Sequence, residues 1–87
     1  MVFCQFRLVN NKRNQELLRV FGKNLRRIRT EKGFTMEELA FEADIEYRQL
    51  GRIERGEVNT TISTVHILAE ALRIDDSEFF KFKLSQK

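Results

Sequence analysis

The residues that could do chemistry in this sequence are concentrated in its basic first third and in a polar helix near residue 50. Nine basic residues, Arg7, Lys12, Arg13, Arg19, Lys23, Arg26, Arg27, Arg29 and Lys32, stand against Glu16 and Glu31, a net of +7. The whole chain carries only +3, so the rest of it nets −4. Such clustering suits a polyanionic partner or a solvated helix face that keeps the protein soluble, and charge alone leaves both open. Catalysis has no comparable set. Cys4 and His66 are each the single residue of their kind, so an internal disulfide is excluded and a metal ion would lack ligands. Asp75 and Asp76 form a carboxylate pair only on paper, because Asp75 reads as a helix cap. No catalytic residue, metal site, cofactor or small-molecule ligand is expected.

The elements that position these groups must come from one small domain: at 87 residues there is little room for a substrate cleft, which excludes most enzymes. Charged residues make up 33% and hydrophobic residues 41%, enough for a folded core to which eight Phe contribute heavily. No apolar run approaches the roughly 18 to 20 residues of a membrane helix. Val2 to Val9 is interrupted by Gln5 and Arg7 and lacks a signal-peptide cleavage pattern, so a cytoplasmic protein without a membrane partner is expected. Proline is absent and glycine occurs only four times, which favours helices over a sandwich of short strands.

Caps and periodicity predict five helices. Leu17, Phe21, Leu25 and Ile28 line one face of a first helix starting after Asn14 and stopping at Gly33. Thr35 and Glu38 form a capping box, with Phe34 and Leu39 as its hydrophobic staple, so a second helix starts at Met36 and buries Leu39, Ala40 and Ala43. Asp44 suits a left-handed turn, with Ile45 plugging the core. A third helix within Glu46 to Arg55 turns Leu50 and Ile53 inward and Tyr47, Arg48, Gln49, Gly51, Arg52 and Arg55 elsewhere, with Gly56 as its stop. Thr61 caps a fourth helix that carries Ile62, Val65, Leu68, Ala69 and Leu72 inward, with His66 partly buried among them. Asp75 and Glu78 open a short fifth helix with Phe79, Phe80 and Phe82. Residues 2–9 alternate imperfectly and are open to either a strand or a frayed arm, giving an N-terminal arm at 1–13, a domain at 14–84 and a tail at 85–87.

Two helices joined by a turn of about four residues, the second presenting long polar side chains, make a helix-turn-helix. A helix of about 10 Å diameter fits the DNA major groove, and its first turns reach base edges when the preceding helix braces it. Residues 21–80 resemble the Xre family of phage-repressor and Cro-like DNA-binding domains, through FGKNLRRIRTEKGFTMEELAFEADIEYRQLGRIERG and TISTVHILAEALRIDDSEFF. The matching motifs are Leu-Arg-x-Ile-Arg in helix one, Glu-Leu-Ala in helix two, Ile-Glu-Arg-Gly ending helix three and Ala-x-Ala-Leu in helix four. The small size and aromatic C-terminal segment are also similar to restriction-modification controller proteins. Met36 stands where many members have Gln, Asp44 where Gly is usual and Thr60 where Pro is common.

The resemblance implies an all-α, compact, lambda-repressor-like domain. It places Tyr47, Arg48, Gln49 and Arg52 at the positions that contact bases, where Arg pairs bidentately with guanine and Gln with adenine. Gly51 would admit a close approach of DNA to the helix backbone. Phosphates would be held by Arg55, Asn59, Thr61 and Thr64 and at Thr35 and Met36, the last through backbone N–H groups. Lys23, Arg26 and Arg27 would supply a general field, while Glu42, Glu46 and Glu57 oppose DNA and penalise a wrong register. Arg29 and Glu54 match a buried structural ion pair. Phe80, Phe82 and Leu84 are the expected dimer seam, unless they pack within the subunit.

The implied function is a homodimeric regulator that binds double-stranded DNA at a roughly palindromic operator. The alternative is a protein-binding module, an antitoxin or adaptor, with weak or autoregulatory DNA binding.

Overall fold

The computed structural model describes the backbone of residues 2–83 and the side chains of residues 15–83. These form four α-helices, α1 (Val2–Glu31), α2 (Met36–Ala43), α3 (Tyr47–Glu54) and α4 (Ile62–Leu72), and a closing 3-10 turn at Asp76–Phe80. None of the helices among the described residues is long and apolar enough to cross a membrane.

The structure corrects the sequence expectation at both ends. Residues 2–9 are helical, not a strand, and α1 starts at Val2, so residue 13 lies inside a continuous helix. No Gly or Pro interrupts residues 2–21, and Val2, Phe6 and Val9 also follow helical spacing, so the segment extends α1 without needing a partner strand. The fifth α-helix is instead five residues of 3-10 geometry, and Asp75 makes no side-chain cap bond. The Glu78 N–H donates to the Asp75 carbonyl at 2.9 Å, while the Glu78 carboxylate accepts from Lys81 at 3.0 Å, so the second capping box does not form.

Every α-helix stops by the same device. Gly33, Asp44, Gly56 and Arg73 have φ of 82°, 58°, 74° and 60°, and the next residue's N–H reaches back across the last turn. Those bonds run from Phe34 to Arg29 (3.0 Å), Ile45 to Ala40 (3.0 Å), Glu57 to Arg52 (2.9 Å) and Ile74 to Ala69 (3.0 Å). Phe34, Ile45 and Ile74 then pack against the core, whereas Glu57 stays exposed. At the helix starts, Thr35 Oγ1 accepts from the Glu38 N–H at 3.0 Å while the Thr35 N–H donates to Glu38 at 2.9 Å. Thr61 Oγ1 likewise accepts from the Thr64 N–H at 3.1 Å. Each cap contributes about 1 kcal/mol by satisfying a donor that the helix leaves open.

One core joins all five elements. Leu25, Leu39, Leu50, Leu68 and Phe79, one from each, are completely buried, and Phe21, Ile28, Ala40, Ala43, Ile53, Val65, Ala69 and Leu72 fill in around them. α3 packs on both α1 and α2, and α2 packs on α4. Two residues of α4 depart from expectation. Ile62 shares the face of Val65 and Ala69 but stands at the first helical position, where it is 87% exposed. His66 is exposed and turns to carboxylates, with Nδ1 3.2 Å from Asp76 and Nε2 3.3 Å from Glu70.

Candidate nucleic-acid interface

α3 is divided cleanly between support and display. Leu50, Gly51, Ile53 and Glu54 are buried, and Tyr47, Arg48, Gln49 and Arg52 are exposed. Tyr47, Arg48, Gly51, Arg52 and Arg55 line, with Met36, an open hollow of about 470 Å³. Gly51 lines this hollow although it is itself buried. A Cβ built there would lie 3.3 Å from Met36 Cε and 3.1 Å from Arg55 Nη1, so the missing side chain makes room for Met36 of α2. At this point the tip of the Met36 side chain of α2 lies close over Gly51 of α3, which suits the adaptable shape of methionine.

The other side of α3 is fixed by polar groups. Arg29 of α1 donates to both carboxylate oxygens of Glu54, at 2.6 and 3.2 Å, and both residues are buried. Its remaining nitrogen, Nη1, donates to the Phe34 carbonyl at 2.9 Å. Gly22, a residue the sequence did not single out, lies where α1 crosses α3, and a Cβ there would run into the carbonyls of Ile53 and Glu54. Asn24, also missed, is buried and donates to the carbonyls of Glu78 (3.1 Å) and Phe79 (2.8 Å), tying the 3-10 turn to α1. The only local signal for Asn24 is its place beside Leu25 on the inward side of an amphipathic helix.

The groups expected at phosphates differ in availability. The Thr35 N–H is already held by Glu38, and its hydroxyl accepts from Glu38, so that hydroxyl's own proton and the first-turn amides of Met36 and Glu37 are what α2 can offer. Thr61 donates its hydroxyl to the Thr64 hydroxyl at 3.0 Å, so the Thr64 hydroxyl keeps its own proton to donate, and Asn59 is exposed. Arg55 is exposed but engaged, with Nε 2.8 Å and Nη2 3.4 Å from the Glu57 carboxylate. That hydrogen bond, together with the charges of Arg55 and Arg52, holds the Glu57 carboxyl below the usual carboxylate range. In the basic field, Lys23 and Arg26 are exposed, while Arg27 is shared between Glu31 at 3.0 Å and Asn24 Oδ1 at 2.7 Å.

At the expected dimer seam, Phe80 is half exposed, and its ring lies 5.4 Å from that of Phe21 and 6.3 Å from that of Phe82. Phe82 packs partly against the subunit's own core, and Leu84 lies outside the described residues. Phe41, which the sequence reading passed over, is 83% exposed on the outer face of α2.

A braced, exposed polar helix following a tight turn defines a class, and comparison with known proteins gives the same one. The helix-turn-helix family model matches residues 25–79, and the chain belongs to this family of DNA-binding transcriptional regulators. It is 35% identical over 63 residues to an uncharacterized HTH-type transcriptional regulator, y4dJ, of Sinorhizobium fredii, covering 72% of this chain and 82% of that one. It is 31% identical over 64 residues to the control protein C.BamHI of Bacillus amyloliquefaciens, covering 72% and 79%. Among solved structures, the restriction-modification controller protein C.AhdI of Aeromonas hydrophila superposes with a TM-score of 0.71 at 40% identity, covering 72% of this chain and 96% of that one.

Proposed function

We propose that this protein is a sequence-specific regulator that binds a two-fold operator as a homodimer and reads each half-site with α3. The observation that carries this is the division of α3, whose exposed side presents Tyr47, Arg48, Gln49 and Arg52 together. Arg48 and Arg52 suit bidentate pairing with guanine, Gln49 suits adenine, and Tyr47 suits a thymine methyl or a phosphate. Thr35, Met36, Arg55, Asn59, Thr61 and Thr64 flank that helix and would fix its register on the backbone. Two copies related by a dyad would set half-sites about 34 Å apart. Phe80 supplies an exposed aromatic surface for the subunit contact. The likeness to C.BamHI and C.AhdI supports a role as a controller protein acting in the cytoplasm at promoter DNA.

Selection of bound duplexes from a random pool tests this, with an Arg48→Ala/Arg52→Ala double variant alongside. A two-fold motif enriched by the wild type and lost in the variant is expected. Equal and unenriched recovery at low salt would overturn operator recognition and turn attention to a protein partner.

A further inference from the structure

The four helix stops are alike except in one residue. Beyond the left-handed position, α1, α2 and α4 place Phe34, Ile45 and Ile74 on the core, whereas α3 places a carboxylate, Glu57, on the surface. Its backbone is not free to wander. The Glu57 N–H is bonded to Arg52 at 2.9 Å, and Gly56 before it rests on α1, where an added Cβ would meet the Arg19 Cα at 2.7 Å. The carboxylate held in this way lies 2.8 Å from Arg55 Nε, and the Arg55 Nη1 lies over Gly51, on the wall of the hollow that Arg48 and Arg52 also line. An acid on a DNA-facing surface ordinarily only repels phosphate. Here it also occupies two of the donors through which a guanidinium would grip one.

We propose that Glu57 is an internal competitor for the DNA backbone: its carboxylate occupies Nε and Nη2 of Arg55 in free protein, so that Arg55 grips a phosphate through that edge only by exchanging one anion for another. Glu57 thereby acts through Arg55, rather than as a general repulsive charge, and sets a ceiling on indiscriminate binding. On an operator, where α3 is fully seated, a phosphate is delivered in register and can displace the carboxylate. On unrelated DNA the seating is loose, and Arg55 stays with Glu57. Both partners are about half exposed, so the exchange carries no large desolvation cost. This inference rests on the DNA-binding face proposed above.

The test measures affinity and its salt dependence on a labelled mixed-sequence duplex and on the duplex selected from the random pool, using full-length protein. Glu57→Ala and Glu57→Gln are compared in the wild-type and Arg55→Ala backgrounds. Freed Arg55 should tighten mixed-sequence binding about two- to fivefold per protomer, the scale of one exposed ion pair. The slope of log K against log salt should steepen by about 0.9 per protomer, one further phosphate contact. On the selected duplex the gain should be smaller, so discrimination falls. In the Arg55→Ala background both Glu57 variants should have no effect on either measure. Equal gains in the two backgrounds would overturn the proposal, because Glu57 would then act directly on DNA. Unchanged mixed-sequence affinity in both Glu57 variants would overturn it as well. Failure of the wild type itself to bind either duplex at low salt would instead overturn the DNA-binding face.

Discussion

Arg29 and Glu54 form a two-pronged ion pair, 2.6 and 3.2 Å, between α1 and the C-terminal turn of α3, with both side chains buried. The third donor of the guanidinium is spent on the Phe34 carbonyl at 2.9 Å, so the same group also closes the connection between α1 and α2. Truncating one partner strands the other charge out of water. Arg29→Ala is expected to destabilise by about 3–5 kcal/mol. A thermal melt with the wild-type midpoint would show that the pair carries no such load.

The crossing of α1 and α3 depends on an absent side chain. Gly22→Ala would press a methyl into the Ile53 and Glu54 carbonyls and is expected to cost about 1–3 kcal/mol in urea unfolding, despite the better helix propensity of alanine. A gain in stability would mean that the two helices part freely.

Asn24 does the equivalent for the C-terminal turn. Asn24→Ala leaves the carbonyls of Glu78 and Phe79 without their donor, at a cost of about 1–3 kcal/mol. Because those carbonyls precede Phe80, the variant should also weaken self-association in sedimentation runs. An unaltered association constant would separate Phe80 from the proposed subunit contact.

Thr60 offers a change in the other direction. Its Oγ1 is buried without a hydrogen-bond partner among the described residues, so Thr60→Val, which keeps shape and backbone N–H, should raise stability by about 1 kcal/mol. A lower denaturation midpoint would refute this.

His66 gives a pH dependence whose sign is set by its neighbours. Its hydrogen bond to Asp76, then the charges of Asp76 and Glu70, raise its pKa above the ordinary 6.5. The stabilisation is therefore complete below the unfolded value, near pH 6.5, and is lost as pH rises through the folded value. Melting temperatures of the wild type and His66→Gln should differ most on the acid side and converge in mild alkali. A difference that widened in alkali would contradict the assignment.

Legibility followed range. The Thr35 box, the left-handed Asp44, the Thr61 cap and the stops at Gly33 and Gly56 are set within a few residues, so the sequence shows them directly. The exposed stripe of α3 is legible for the same reason, since periodicity alone separates Leu50 and Ile53 from Arg48 and Arg52. Gly22 and Asn24 were silent because their partners lie more than 30 and 50 residues away. Asp75 misled in the opposite sense: the letters of a capping box are there, but a 3-10 turn, not an α-helix, follows them.

The division of α3 has a consequence for descent. Tyr47, Arg48, Gln49 and Arg52 are exposed whereas Leu50, Gly51, Ile53 and Glu54 are buried, so most substitutions at the first four should cost no more than about 0.5 kcal/mol of folding free energy. Under the reading proposed for α3, a lineage could move from one operator to another one exposed residue at a time, with every intermediate still folded. The exposed side of α3 can drift, while the frame that presents it is inherited unchanged.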